Sequence, residues 1–176
     1  MNEELVEKAI TDLLIALGED INKDGLKETP KRVSQMYKEL LTYEKFNNTT
    51  FMSEYDDIVM VRDIEFTSMC EHHLLPFYGI CHVCYIPNGN IIGLSKIART
   101  VEKYAKKLQV QERMTLEILN ELKSVLNTDD IGIYIEAKHM CMISRGVKKE
   151  LSNTVTTKLS GVFKDKRKDD FYYLIK

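Results

Sequence analysis

Residues 58–73 read IVMVRDIEFTSMCEHH and contain the clearest structural signal in the chain. Apolar or small residues recur at every second position along most of this stretch, and a period of two is that of a β-strand with one buried face. The residues on this parity are Ile58, Met60, Ile64, Phe66, Ser68 and Cys70. The pattern predicts a half-buried strand that ends at Cys70 and carries this cysteine on its mostly apolar face.

Two helices are predicted before this strand. Residues 2–17 place apolar side chains at helical spacing, and Gly18 suits a helix C-terminus. Thr29 is a natural N-cap and Pro30 suits the first helical position, so a second helix should run from about Pro30 to the low forties. The chain therefore begins with helices and changes to strand after a polar loop.

Two further strands and two helices are predicted beyond Cys70. A β-rich run over 78–86 is followed by a helix with Ser95 as its N-cap and by another helix ending near Val125. Residues 131–141 return to a period of two, and 152–163 suits a last strand. The element order predicts an α+β fold.

The strand predicted over 131–141 has a consequence for two candidate ligands. If this strand is regular, His139 and Cys141 point the same way. We expect one domain over 1–176, with N-terminal helices in 1–45 and a catalytic unit in 55–163.

Composition limits the possible classes of protein. The chain has 176 residues, of which 44% are hydrophobic and 30% charged, which is typical of one globular domain. No apolar run approaches the ~20 residues that cross a bilayer, and the acidic start MNEELVEKAI does not resemble a signal peptide. The net charge of −2 gives no general attraction to nucleic acid. We expect a cytoplasmic protein with neither a membrane nor a nucleic-acid partner.

The run Cys70-Glu71-His72-His73 is the strongest chemical signal, since it holds two of the four His and one of the four Cys. A Cys-x-x-His spacing lets a thiolate and an imidazole meet at one ion, and Zn²⁺ favours this mixture of ligands. The pair His139-x-Cys141 offers the same two donors elsewhere in the chain. Together they predict a zinc site.

Two zinc arrangements compete. In the first, Cys81 and Cys84 join Cys70 and His73 in a closed structural site without catalytic activity. In the second, Cys141 is the third ligand and the fourth position holds water, which makes a hydrolytic site. The second is favoured because Cys81 and Cys84 lie three apart in a predicted strand and would face opposite sides. We interpret Cys81, His82 and Cys84 as core residues.

Charged residues suggest an anion site. Ser95, Lys96 and Arg99 occupy the first turn of a predicted helix, where free N–H groups attract anions, and Arg145 follows Cys141 by four residues. The alternative for the two cations of the helix is an ordinary solvated face. Gln111 and Glu112 open the next helix. A Glu there either complements the helix dipole or accepts two hydrogen bonds from a guanine edge.

Six blocks of sequence between about Gly25 and Phe163 resemble the zinc-dependent GTP cyclohydrolase I family. They are GLKETPKR, SMCEHHLLPFYG, YIPNGNIIGLSKIART, LQVQERMT, HMCMISRGV and NTVTTKLSGVF, in the family's order. The segment between the second helix and the Ile58 strand is shorter than in the family, so that Lys31 and Arg32 are only candidates for phosphate contacts there.

The resemblance assigns roles to individual residues. It implies zinc ligands at Cys70, His73 and Cys141, and acid–base histidines at His72 and His139. It implies contacts to triphosphate and ribose from Ser95, Lys96, Arg99 and Arg145, and a guanine anchor at Glu112 with Gln111 beside it.

The resemblance also implies a reaction and an assembly. The reaction is hydrolysis of GTP at purine C8 to formate and 7,8-dihydroneopterin triphosphate, which begins pterin and tetrahydrofolate biosynthesis. The fold is the tunnelling fold, an antiparallel sheet with helices on one face, assembled as a β-barrel homodecamer with active sites between subunits. Two rival hypotheses are a non-catalytic zinc module that uses Cys81 and Cys84, and a tunnelling-fold enzyme with another purine or pterin reaction.

Overall fold

The structure is a computed structural model that describes all 176 residues as two compact units, Met1–Thr42 and Tyr43–Lys176. The first unit is a helix pair, α1 (Glu3–Ala16) and α2 (Thr29–Leu41), which confirms both predicted helices. Asn2 caps α1 by accepting a hydrogen bond from the Leu5 N–H at 3.1 Å. Thr29 is the first residue of α2, so its predicted position as N-cap is wrong by one residue. The single domain expected over the whole chain stays a prediction.

The second unit contains a five-stranded sheet and a separate two-stranded sheet. The smaller sheet pairs β1 (Thr50–Met52) with β4 (Asn90–Ile92). The larger sheet has the order β5-β2-β3-β6-β7, in which only the short β5 is parallel to its neighbour. Its strands are β2 (Val59–Cys70), β3 (Pro76–Tyr85), β5 (Leu108–Gln109), β6 (Ile131–His139) and β7 (Thr154–Leu159).

Two helices, α3 (Leu94–Ala105) and α4 (Gln111–Leu126), pack on one face of the larger sheet. The core between them is aliphatic, with Ile97, Ile118 and Ile133 fully buried. The α+β class is confirmed, and the architecture is compatible with the tunnelling fold. None of the helices combines the length and the apolar character that a membrane span requires.

The C-terminal segment covers part of the opposite face of the sheet. A 3₁₀ helix (Gly161–Lys164) and α6 (Lys168–Leu174) bury Phe163 and Phe171 against Cys84 in a second, smaller core. The sequence predicted a last strand up to residue 163. The position of its end is wrong, because the strand ends at Leu159 and the aromatic residues that follow it pack on the sheet.

A β-bulge divides β2 into two parts with opposite parity. The register with β3 shifts between Val61 and Ile64, and Asp63 has a left-handed backbone with φ of 55°. Because of the extra residue, Ile58 and Met60 contact the C-terminal core, while Val59 and Val61 pack with the helices. The single parity predicted from Ile58 to Cys70 is therefore correct only from Ile64 onward.

The sixth strand ends earlier than predicted. Residues Met140–Ile143 form a helical turn, α5, which the Ser144 N–H closes on the Met140 carbonyl at 2.9 Å. The regular strand expected to continue to Cys141 is therefore wrong. Cys141 is positioned by a turn that follows β6.

Candidate metal centre and active site

A tight turn follows Cys70 and exposes two histidines. The Leu74 N–H donates to the Cys70 carbonyl at 2.9 Å, and the Cys70 N–H donates to the Leu75 carbonyl at 2.9 Å. Leu74 takes a left-handed conformation with φ of 52° to complete the reversal. Cys70 is buried whereas His72 and His73 are exposed. The turn thus places a buried thiol beneath two accessible imidazoles.

The donor atoms of these three residues converge. Cys70 Sγ lies 3.9 Å from His72 Nδ1 and 3.8 Å from His73 Nδ1, and the three donor atoms lie within 4.8 Å of one another. A metal ion at normal bond lengths of about 2.0–2.3 Å fits between atoms at such distances. This spacing and the mixture of sulfur and nitrogen suit Zn²⁺.

Cys141 contacts Cys70 of this cluster and packs against the same core. Burial raises the pKa of the Cys141 thiol, and the neighbouring Cys70 raises it further by its charge and by a hydrogen bond. The two thiols are therefore in contact, and a cation between them would favour two thiolates. The converging donor set is therefore Cys70, His72 and His73, and Cys141 joins it through its contact with Cys70. Which of the four bind metal stays a prediction.

Cys81 and Cys84 lie away from this cluster. Both are fully buried in β3, and they belong to the two separate cores on opposite faces of the sheet. Burial raises the pKa of both thiols, that of Cys84 to about 12. Their interpretation as core residues is confirmed, and they cannot share a metal ion with each other.

A polar network fixes the turn to the start of α4. Arg113 donates to the Glu71 carboxylate and, through Nε, to Gln109 Oε1 at 2.7 Å. The Glu71 N–H also donates to the Gln109 carbonyl at 3.1 Å. Gln109 is fully buried and donates to Glu117 at 2.9 Å. The spacing of Gln109, Arg113 and Glu117 is helical, but their link to Glu71 spans 42 residues and was not predicted.

His139 ends β6 beside the cluster, held by two neighbours. Its ring stacks on Phe77 with centroids 4.6 Å apart and planes 2° apart, as expected for cross-strand partners. His139 Nε2 lies 2.8 Å from Gln111 Oε1. Burial lowers the pKa of His139, and the charge of Glu112 partly opposes this. Phe77 is a site residue that the sequence interpretation missed, although it shares the apolar face of β3.

Gln111 and Glu112 differ in accessibility despite being neighbours. Gln111 is 1% exposed, and its amide is used in hydrogen bonds within the chain. Glu112 is exposed in the first turn of α4 and borders a cavity of about 240 Å³ that is also lined by Thr115 and Thr156. Of these two side chains, only the carboxylate of Glu112 is therefore accessible to a ligand.

Arg145 lies at the same end of the sheet. It is exposed in the loop after α5, and its charge lowers the pKa of Cys141 against the other influences there, which places it near that thiol. Apart from the Glu71–Arg113 ion pair that anchors the turn, this end therefore gathers thiols, imidazoles, the Glu112 carboxylate and the Arg145 guanidinium.

Ser95, Lys96 and Arg99 lie elsewhere. Helix α3 starts at Leu94 with Gly93 as its N-cap, so Ser95 is in the first turn and the predicted N-cap is wrong. The opposite end of α3 is near the metal cluster, because Ser68 Oγ donates to the Ala105 carbonyl at 2.6 Å. Ser95 is ten residues from Ala105, or about 15 Å along the helix. One chain does not bring these residues to Cys70.

Comparison with known proteins gives a consistent result. The sequence profile of the GTP cyclohydrolase I family matches residues 6–175. A protein of Clostridium kluyveri named GTP cyclohydrolase 1 is 47% identical over 171 residues, covering 94% of this chain and 92% of that protein. Proteins of the same name from Sulfurihydrogenibium and Streptococcus agalactiae are 47% and 48% identical, covering 97% and 94% of this chain and 93% and 92% of their own lengths.

Proposed function

The chain belongs to the GTP cyclohydrolase I family, and we propose that it hydrolyses GTP at purine C8 to formate and 7,8-dihydroneopterin 3′-triphosphate. The observation that carries this proposal is the convergence of Cys70, His72 and His73 beside His139 and Glu112. This set combines metal donors, a proton carrier and a hydrogen-bond acceptor for guanine. The product would begin pterin and tetrahydrofolate biosynthesis in the cytoplasm.

The metal of this proposal is Zn²⁺, held by Cys70, His73 and Cys141. Two thiols in contact and an imidazole nitrogen 3.8 Å from Cys70 Sγ form a suitable donor set. When bound, Zn²⁺ acts as a Lewis acid and makes water nucleophilic near neutral pH. His72 is exposed beside these ligands, with its Nε2 3.9 Å from Glu71 Oε1, and it carries protons near the ribose in this proposal.

His139 supplies the proton for the purine ring. Its position at the end of β6 is fixed by Phe77 and Gln111, so the ring needs little reorganisation to meet N7 of guanine. The nearby charge of Glu112 favours the protonated form and counteracts burial. Protonation of N7 withdraws electrons from C8 and makes this carbon easier for water to attack.

Glu112 provides the preference for guanine. Its two carboxylate oxygens can accept hydrogen bonds from N1–H and from the 2-amino group, which are adjacent donors. Adenine has an unprotonated N1 and no 2-amino group, so ATP would leave the carboxylate without these partners. Gln111 is buried behind Glu112 and reaches the site through His139.

Ser95, Lys96 and Arg99 bind the triphosphate and ribose of a GTP whose purine lies in another subunit's metal centre. This arrangement is supported by the distance of about 15 Å along α3 from Ser95 to the Ala105 end. Arg145 adds a charge at the metal end. Strand β7 is at the edge of the sheet and can continue it into a second copy. A homo-oligomer, such as the barrel decamer implied by the resemblance, would therefore complete the site.

The proposal is tested by incubating the zinc-loaded protein with GTP and measuring formate and pterin fluorescence. We expect one zinc per chain and turnover, and we expect Cys141→Ser to lose both. Cys81→Ala is the matched control, because Cys81 is a buried thiol outside the cluster. Metal loss in Cys81→Ala with full retention in Cys141→Ser would establish the rival zinc module. Tight binding of GTP without formate would instead indicate another reaction on this fold.

A further inference from the structure

The amide of Gln111 makes hydrogen bonds through both of its ends. Its Nε2 donates to the carbonyl oxygens of Ile135 at 3.2 Å and Thr154 at 3.0 Å, with Thr156 Oγ1 at 3.1 Å. Its Oε1 lies 2.8 Å from His139 Nε2. The residue is 1% exposed, so water does not replace any of these partners. Such a completely used amide has no group left for a ligand.

The partners determine which way the amide points. The carbonyl oxygens of Ile135 and Thr154 can only accept hydrogen bonds, so the group facing them is the NH₂ of Gln111. The group facing His139 is then the amide oxygen, which also only accepts. A hydrogen bond between this oxygen and His139 requires a proton on Nε2. The orientation follows from chemistry and does not depend on how the amide atoms are labelled.

We propose that Gln111 is a positioning residue that holds neutral His139 in its Nε2–H tautomer and leaves Nδ1 as the nitrogen presented to the substrate. The inference rests on the proposed function of His139. It gives Gln111 a role through His139 in place of direct contact with guanine. His139 Nδ1 makes no hydrogen bond within the chain, which leaves this nitrogen available.

Stacking on Phe77 adds to this constraint. The two rings are nearly parallel, at 2°, so rotation of His139 about its long axis would break the stack. A ring flip would also put a C–H group against Gln111 Oε1 and leave a buried acceptor without a donor, which is unfavourable. Phe77 and Gln111 together therefore select one ring orientation.

The proton balance of the catalytic step follows from this assignment. Nδ1–H of the charged ring donates its proton to N7 of the purine, whose lone pair forms the new N–H bond. The electron pair of the former N–H bond stays on Nδ1. The Nε2 proton stays on the ring throughout, since Gln111 Oε1 accepts its hydrogen bond in both ring states. Gln111 thus stabilises His139 before and after transfer.

The tautomer can be measured directly with ¹⁵N-labelled histidine by solid-state NMR at a pH where the ring is neutral. The chain has four His, and the His139 signals are identified by their loss in His139→Gln. We expect wild-type His139 to show a protonated Nε2 and an unprotonated Nδ1. In Gln111→Met, which keeps the length of the side chain and removes the acceptor, both tautomers should appear. The matched control is Thr156→Val, which removes one partner of Gln111 Nε2 but leaves the His139 contact, and its tautomer should match wild type.

Kinetics provide the second measurement. Gln111→Met should lower kcat about fivefold with little change in KM for GTP, because the net contribution of one hydrogen bond is about 1 kcal/mol, which is about fivefold in rate. A protonated Nδ1 in wild-type His139 would overturn the proposal, and this result does not depend on the folding of Gln111→Met. An unchanged tautomer and kcat in Gln111→Met would also overturn it. Absence of formate release from wild type would refute the proposed function, while the tautomer measurement would still stand.

Discussion

The two ends of the five-stranded sheet carry different chemistry. At one end, the turn after β2, the end of β6 and the start of α4 bring together Cys70, Cys141, His139 and Glu112. At the other end, the start of α3 carries Ser95, Lys96 and Arg99 without a thiol or an imidazole from the same cluster. The first end can activate a purine, and the second can bind an anion. A nucleotide needs both.

The separation has a simple geometric origin. The end of α3 near Ala105 contacts Ser68, just before the metal turn, and α3 therefore starts far from that turn. Tyr85 lies near the start of α3, because its hydroxyl accepts the Ile92 N–H. It is eight residues along β3 from Phe77, or about 26 Å. The distance is set by one strand and one helix, and loop motion does not remove it. We therefore propose that each chain contributes two half-sites.

The largest expected effect is restoration of activity by mixing two inactive variants. Cys141→Ser lacks the metal end and the double variant Lys96→Met/Arg99→Met lacks the anion end, so each homo-oligomer should be inactive at a GTP concentration near the wild-type KM. Dissociation and joint reassembly should give about one quarter of the wild-type sites, because half-sites from different chains combine at random. Formate release measures the recovery. No recovery after verified co-assembly would show that both halves act within one chain.

Substitutions at the anion end should separate binding of GTP from binding of metal. Lys96→Met and Arg99→Met should each raise KM for GTP about tenfold or more, because a charged hydrogen bond to phosphate is lost. The zinc content, measured by atomic emission, should stay at the wild-type value. Lys8→Met, at an exposed lysine of α1, serves as the charge-matched control. Loss of zinc in either variant would contradict independent half-sites.

At the metal end, Arg113→Met should weaken zinc binding about tenfold without removing a ligand. Arg113 bonds Glu71 and Gln109, and these contacts hold the turn between Cys70 and His73. Competition with a chelator measures the change. Lys123→Met removes an ion pair from the same helix, that with Asp129, and should leave the affinity unchanged. Equal zinc affinities in Arg113→Met and Lys123→Met would mean that the turn keeps its shape without the contacts of Arg113.

The smallest effect concerns the sheet between the two ends. Burial lowers the pKa of His82 from 6.5, and its Nδ1 accepts the Asp63 N–H at 3.0 Å. Below about pH 6.5 the unfolded state binds more protons than the folded state, so the melting temperature should fall as the pH decreases. His82→Gln keeps a hydrogen-bond acceptor but cannot bind a proton in this pH range, so its melting temperature should fall less steeply as the pH decreases. Differential scanning calorimetry of the two zinc-loaded proteins measures their melting temperatures. The same pH dependence in both would show that His82 does not contribute to it.

The sequence predicted regular elements better than their interruptions. The helices and the strand over 131–139 were found because apolar residues recur at a constant period. The bulge at Asp63 changes the parity within one strand, and the turn at Met140 ends another. Neither has a Gly or Pro signal. The helix α6 was missed because Phe171 has a partner, Cys84, that is distant in sequence.

The site was predictable where the ligands are close in the chain. The Cys70–His73 spacing is local, and the structure brings its donor atoms together. The burial of Gln111 and its contact with His139 depend on how α4 meets the end of β6, which spacing does not reveal. The ring of Phe77 against His139 likewise depends on strand register.

Because of the bulge in β2, the number of residues in this strand determines which face of the sheet each half presents. Removal of one residue near Asp63 would restore a single parity, so either the half with Val59 or the half with Cys70 would turn to the wrong face. A deletion seven residues from Cys70 would thus turn its thiol to the wrong face of the sheet, which would remove the thiol from the cluster just as a substitution of Cys70 would. Natural variation should therefore change the residues between 59 and 70 while keeping their number, whereas the loop before β2 is free to gain or lose residues.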